Sequence, residues 1–203
     1  MKIENSFEVP GTPEETLNLL LDAEKVVPCM PGATLVEIVD DRNWRAKMSI
    51  KLGPVGMDFD NKVHLESIDR EAGTVRMGLS GRDSRGKGGA EGSVDATFTA
   101  VAAGTRVDMV TDLRFSGQAA QLGRPNIIQD VASKMVGQFA TCLGSKMAYE
   151  RQAAEAIADG DPATVPPPPP PAPAAKAVSV VSIIGAVISG AIARLFKRSS
   201  ARP

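Results

Sequence analysis

The chain has 203 residues, with 23 basic and 24 acidic side chains and two cysteines. This length suits one domain with appendages, and a core of that size needs no disulfide. Aromatics are only 4% of the residues, too few for base-stacking platforms. From Pro162 onward there is no acid, but Lys176, Arg194, Lys197, Arg198 and Arg202 are present, so 18 of the 23 bases and all 24 acids precede it. An acidic domain on a basic tail counts against nucleic acid as the domain's partner and points the tail at an anionic surface.

Lys2 to Val9 alternates, with Ile3, Phe7 and Val9 on one face, and predicts a half-buried strand. Pro10-Gly11 turns the chain. Thr12 with Glu15 forms a capping-box pattern and Pro13 takes the first helical position, so a helix follows with Leu17, Leu20 and Leu21 inward. A shorter helical piece over 23–27 stops at Pro28, Pro31 and Gly32. Strands are then predicted over 34–39, 44–52, 57–68, 74–81, 89–101 and 105–116, with turns at Gly53–Gly56 and Ala103-Gly104. Trp44, Ala46, Met48, Ile50 and Leu52 alternate with Arg45, Lys47, Ser49 and Lys51. The next strand sets Met57, Phe59, Val63 and Leu65 against Asp58, Asp60, Lys62, His64 and Glu66. A basic strand beside a largely acidic one predicts charge pairing across a wet face.

The last long element runs from Pro125 to about Ile157. Ile127, Val131, Met135, Phe139, Leu143 and Met147 fall on one helical face, with Ile128, Ala132 and Val136 beside them. Such a stripe has to lie against something broad and apolar. Seven strands, a helix pair after the first and one long terminal helix give an α+β class: a curved antiparallel sheet with one covered face, its mouth closed by the helix. The covered face is rich in methionine (Met48, Met57, Met77, Met109 and, on the helix, Met135). One strand brings the small residues Ala90, Gly92 and Ala96. Small residues leave volume and methionines adapt to irregular shapes. Asn61 and Thr111 fall on the same face. Two readings stand side by side: a packed core with two satisfied polar groups, or an apolar cavity with a few polar points that orient a ligand.

Residues 158–176 read as a linker. Pro166–Pro171 is an unbroken proline run, extended in polyproline II form, and the linker reaches roughly 50 Å. Residues 177–203 begin with an uncharged run, Ala177–Ala193, about 26 Å long if helical. Ile183, Ile184, Val187, Ile188 and Ile192 supply its apolar surface, and Arg194, Lys197 and Arg198 follow at once. It is read as a membrane segment, either crossing the bilayer or lying in the interface with its bases on headgroups. The basic terminus favours the second, because crossing would carry it away from the cytoplasmic side. A soluble helix docking on the domain is the plain alternative.

No catalytic apparatus is legible. Gly81–Gly88 matches most of a phosphate-binding loop, but Gly88 stands where a Ser or Thr would hold magnesium, and the segment lies between strands. His64, the single histidine, falls on the wet face. Cys29 and Cys142 have neither metal spacing nor a catalytic pattern and are read as reduced, cytosolic thiols; the N-terminus has no apolar signal core, so secretion is not expected. No His/Cys cluster suggests a metal.

Pro28-Cys29-Met30-Pro31-Gly32-Ala33, Gly53-Pro54, the glycine-rich strand pair ending at Gly92, and Gly117–Pro125 leading into the long helix come in an order that resembles the START-like helix-grip superfamily. More specifically, they resemble the CoxG family, a component of aerobic carbon monoxide dehydrogenase systems. Where relatives often carry Gly, this chain has Asn61. The resemblance implies a seven-stranded sheet wrapped round the terminal helix with an apolar tunnel between. It also implies a role beside a molybdenum-containing carbon monoxide dehydrogenase at the cytoplasmic membrane, with all redox centres in that partner. The expectation is therefore a non-enzymatic, membrane-tethered carrier with no covalently bound cofactor, at the cytoplasmic face of the cell membrane. It would deliver a respiratory quinone, menaquinone or ubiquinone, held by Met48, Met57, Phe59, Asn61, Met77, Leu79, Ala96, Phe98, Met109, Thr111, Ile127, Ile128, Val131, Met135 and Phe139. Motion of the long helix or of the loop Gly117–Arg124 would open the mouth. The alternative is a recruitment or assembly factor with no carrier role.

Overall fold

The computed structural model describes residues 1–52, 55–122, 125–158 and 178–179. Strand β1 (Lys2–Val9) is followed by α1 (Pro13–Leu21), α2 (Ala23–Val26) and a 3₁₀ turn (Val27–Cys29). Six strands follow: β2 (Ala33–Asp40), β3 (Asn43–Leu52), β4 (Val55–Asp69), β5 (Thr74–Asp83), β6 (Gly88–Val101) and β7 (Gly104–Gly117). Short α3 (Gln118–Leu122) leads into α4 (Pro125–Ala158), and a two-residue β8 (Val178–Ser179) pairs in parallel with Ile50 and Lys51 of β3.

The capping box forms as predicted. Glu15 N–H donates to Thr12 Oγ1 at 3.2 Å, and Thr12 N–H donates to Glu15 Oε2 at 2.7 Å. Asp22 then caps α2 through Lys25 N–H at 3.2 Å. The inward face of α1 differs from expectation: Thr16, Leu17 and Leu19 are buried, while Leu20 and Leu21 are only partly covered at the margin of the core. The segment expected as a loop after β7 is helical over Gln118–Leu122, because Gln, Ala and Leu are good helix formers once Gly117, at φ +62, has turned the chain.

The seven long strands pair antiparallel in the order β1-β7-β6-β5-β4-β3-β2. Successive strands are joined by hairpins from β2 to β7, while the helix pair carries the chain from one edge, β1, to the other, β2. Register is set by the alternation, since a slip of one residue would turn every apolar side chain outward. Gly92 sits where a Cβ would collide with the Asp112 carbonyl and lie 2.9 Å from Leu113 Cδ2, so β6 and β7 approach closely there.

The wet face carries ion pairs, though not those expected between β3 and β4. Lys47 and Asp60 are register partners but form no ion pair; instead Arg45 pairs with Glu37 of β2 at 3.2 Å, and Arg76 joins Glu66 and Asp95 at 2.8 Å each. Exposed pairs of this sort contribute at most about 1 kcal/mol.

Candidate ligand-binding face

Register places the sequence-predicted residues on one face of the sheet. Met48 faces Phe59, Ala46 faces Asn61, Leu79 faces Val63 and Gly92, Met77 faces Val94, Ala96 faces Met109, and Val94 faces Thr111. Helix α4 lies over this face. Its main partners are β1 and the 3₁₀ turn rather than the middle of the sheet.

The apolar interior does not form one body. The larger cluster gathers Phe7, Val9, Leu17, Trp44, Leu65, Val75, Ala96, Phe98, Val107, Phe139, Leu143 and Met147. Phe7 and Phe139 meet edge to face with centroids 5.8 Å apart. A second, small cluster at the other end of the sheet holds Met57 and Phe59, with Ile50 and Phe115 against them. Between the two, on the same face, Met48, Leu79, Val94 and Leu113 are half-buried, as are Ile128 and Met135 of α4, and all six stand outside both clusters. Along the helix stripe Met135 stands out: Val131 is 8% exposed, Met135 is half-buried, and Phe139, Leu143 and Met147 are 6%, 0% and 7% exposed. In a filled core these long side chains would be covered on all sides. Here they stay partly exposed.

The expected residues therefore divide. Ala96, Phe98 and Phe139 are packed inside the larger cluster, with Met77 and Met109 at its margin. Met57 and Phe59 form the smaller one. Met48, Asn61, Leu79, Thr111, Ile128 and Met135 lie between, and Val131 is buried but belongs to neither cluster. Ile127 belongs to α4, but its side chain lies outside the described residues, as do Ile183, Ile184, Val187, Ile188, Ile192, Arg194, Lys197 and Arg198.

The polar points differ in their freedom. Asn61 donates from Nδ2 to the carbonyls of Ala46 and Phe59 at 3.3 and 3.2 Å, which leaves only its Oδ1. Asn5 Oδ1 accepts from Ser133 Oγ at 3.1 Å, tying α4 to β1. The Thr111 hydroxyl, half-buried on the same face, makes no hydrogen bond among the described residues. Asp83, which sequence reasoning passed over, is 5% exposed at the lip of the face. Its carboxylate accepts from the N–H groups of Asp58, Arg85 and Lys87 at 3.2, 3.1 and 3.1 Å. These donors, the Lys87 amide foremost, hold its pKa below the ordinary carboxylate value. The glycine-rich loop does collect amide donors as an anion site would, but its own carboxylate occupies them. An Asp directly before the hairpin residues Ser84-Arg85-Gly86 was the available signal.

The C-terminal half of α4 is fixed. Cys29 and Cys142, expected as separate reduced thiols, are joined in a disulfide with Cα atoms 5.4 Å apart. A sequence separation of 113 residues hides the pairing, and only the fold brings the 3₁₀ turn against the helix. Lys25 Nζ meets Glu150 at 2.8 Å, Lys146 Nζ donates to the Lys25 carbonyl at 2.7 Å, and Arg151 lies 3.7 Å from Glu15. The N-terminal half has two described polar ties to β1, from Ser133 to Asn5 and from Gln129 to the Glu4 carbonyl at 3.3 Å. His64 is exposed on the outer face, 2.8 Å from Asn43, as its alternation predicted. Among the described residues no group of His, Cys, Asp and Glu could hold a metal, and no helix is long and apolar enough to cross a membrane.

Solved structures share this architecture. A conserved protein from Geobacillus kaustophilus matches with a TM-score of 0.64 at 19% identity, over 73% of this chain and 95% of that one. Protein Ms6760 from Mycobacterium smegmatis matches with a TM-score of 0.52 at 16% identity, over 72% of this chain and 90% of that one. Protein CV1439 from Chromobacterium violaceum gives 0.51 at 13%, over 70% and 97%. At these identities the likeness shows the fold alone. No curated protein matches. The model of the carbon monoxide dehydrogenase CoxG family matches residues 6–148, most of the domain and more than half of the chain, and the chain belongs to that family.

Proposed function

We propose that this protein is a membrane-tethered carrier that binds a respiratory quinone, menaquinone or ubiquinone, and presents it to carbon monoxide dehydrogenase. Family membership supplies the association with that enzyme. The observation that carries the rest is the divided core: six half-buried apolar side chains between two clusters, under a helix whose C-terminal half is held by the Cys29–Cys142 disulfide. An isoprenoid chain suits such a face, since each buried CH₂ contributes about 0.8 kcal/mol. Thr111 is the polar group with a hydroxyl to donate, and a quinone carbonyl is an acceptor without a proton of its own. Asn61 shapes the wall and lends an acceptor only. Electrons from carbon monoxide oxidation have to reach a lipid-soluble acceptor, and the redox centres would be the dehydrogenase's, so this chain needs only to bind, orient and release. The linker and the apolar, basic tail would hold the domain at the cytoplasmic face of the cell membrane. Such tethering raises local concentration to the order of mM.

A second reading, membrane recruitment or assembly of the dehydrogenase without a carrier role, draws on edge strand β2. There Val36, Ile38 and Val39 are 48%, 47% and 57% exposed, a surface suited to another protein. Deleting Ala177–Pro203 separates the two. The carrier keeps quinone binding in the purified truncated protein, read by quinone fluorescence or absorbance titration. A pure docking factor binds none with or without its tail, and that result would remove the carrier role.

A further inference from the structure

The two ends of the sheet differ in charge. Where α4 begins, the β3–β4 and β5–β6 hairpins and the end of β7 present Lys51, Arg82, Arg85, Lys87 and Arg114. Two of the acids nearby are engaged by the protein itself. Asp83 is buried under its three amide donors, and half-buried Asp58 accepts from Ser49 Oγ at 2.7 Å and Arg85 at 2.9 Å. Asp60, Glu91 and Asp130 remain exposed there, whereas Lys51, Arg82, Lys87 and Arg114 enter no ion pair among the described residues. The opposite end carries Glu14, Glu15, Asp22, Glu24, Asp40 and Asp41 on the helix pair and the β2–β3 turn.

A second observation concerns the tail. Val178–Ser179 runs parallel to Ile50–Lys51, and β3 continues from there to Leu52. The chain therefore passes Ser179 heading toward the basic end. The residues that follow are the apolar run and then Arg194, Lys197 and Arg198. Cations at this end, and a described tail strand that runs toward it, both suit one occupant, an anionic lipid surface.

We propose that the end of the domain at which α4 begins is a docking surface for anionic bilayers, and that it turns the ligand-binding face toward the membrane while the acidic end points away. The proposal rests on the carrier reading for its purpose, but not for its evidence. Each cation held within a Debye length of an anionic surface multiplies affinity by about fivefold. The linker alone would leave the domain free to tumble; the basic end gives it an orientation.

The full chain, tail intact, tests this on vesicles of phosphatidylcholine with and without phosphatidylglycerol. Arg82→Gln/Lys87→Gln should weaken binding to the anionic vesicles by about 25-fold, and Arg82→Glu/Lys87→Glu by more. The control pair at the acidic end, Arg42→Gln/Arg70→Gln, should leave it little changed, and raised salt should erase the difference. None of the variants should alter binding to pure phosphatidylcholine, which reads the tail. Equal loss in both pairs, or no loss in the Arg82/Lys87 variants, overturns the proposal. So does intact vesicle binding with lost binding to purified dehydrogenase, which would give the basic end to an acidic protein partner. Quinone content of the same preparations keeps the two ideas apart: an empty protein that still docks through its basic end sinks the carrier and spares the docking surface.

Discussion

The two halves of α4 behave as different structures made from one periodicity. From Phe139 onward the helix stripe is sealed into the larger cluster, bridged to the 3₁₀ turn by Cys29–Cys142 and held by Lys25, Lys146 and Arg151. Before Phe139, Ile128 and Met135 belong to no cluster, and the described polar ties come from Gln129 and Ser133. The same spacing of large residues thus yields a sealed anchor at one end and partly exposed apolar side chains at the other. The partners differ: Phe7, Val9 and Val107 pack with the anchored end, whereas the first half reaches β1 through Gln129 to Glu4 and Ser133 to Asn5. In the proposed carrier the sealed half would orient the helix and the less packed half would open.

The comparison breaks most sharply at the disulfide. In oxidised protein, Cys29→Ser/Cys142→Ser should lower stability by about 4 kcal/mol, given the long loop it closes. Chemical denaturation checks this, and treating the unaltered chain with a thiol reductant should reproduce the loss. Next comes a matched pair on one stripe. Leu143→Ala, at 0% exposure, should cost about 3 kcal/mol. Met135→Ala should cost about 1 kcal/mol or less, because partial exposure means fewer lost contacts, yet it should weaken quinone binding more than Leu143→Ala does. Equal costs would mean that the interior is filled at both places.

Gly137 lies between the halves, and a Cβ there meets nothing within 4 Å. Gly137→Ala should stabilise the protein by about 0.5–1 kcal/mol through helix propensity and slow ligand exchange if this is where the helix bends. Thermal melts and stopped-flow release read the two effects separately. The smallest effect is electrostatic. The Asp83 pKa is lowered in the fold, chiefly by the Lys87 amide. Its stabilisation is therefore complete above the unfolded carboxylate value, about 3.9, and is lost as pH falls through the lower folded value. Asp83→Asn should be less stable than the parent at neutral pH, with the gap closing below about pH 4. A gap that widens on acidification would contradict the hydrogen-bonded carboxylate.

Much of this was legible in the sequence because it rests on periodicity. The seven strands, the capping box at Thr12 and Glu15, and the long helix each announce themselves within one local window. The shared face also follows, since alternation puts Met48, Asn61, Leu79, Val94 and Thr111 on one side once the register is fixed. What escaped depends on distance along the chain. The Cys29–Cys142 bridge joins residues 113 apart, and Arg45 finds Glu37 on β2 rather than an acid on β4. Burial of Leu19 in place of Leu20 and Leu21 depends on how α1 is rolled onto the sheet, which no helical repeat specifies. The small residues on β6 left a packed core and a cavity both open, because whether small residues leave space or draw their neighbours inward is decided only by packing, and the two clusters came from the fold.

Native mass spectrometry of the full chain, extracted gently from membranes of a cell that makes quinone, bears most directly on the divided interior. The account predicts an added mass equal to one prenylated quinone, lost on collisional activation and diminished in Met135→Ala. A chain that is recovered at its bare mass and does not take up added quinone would contradict it.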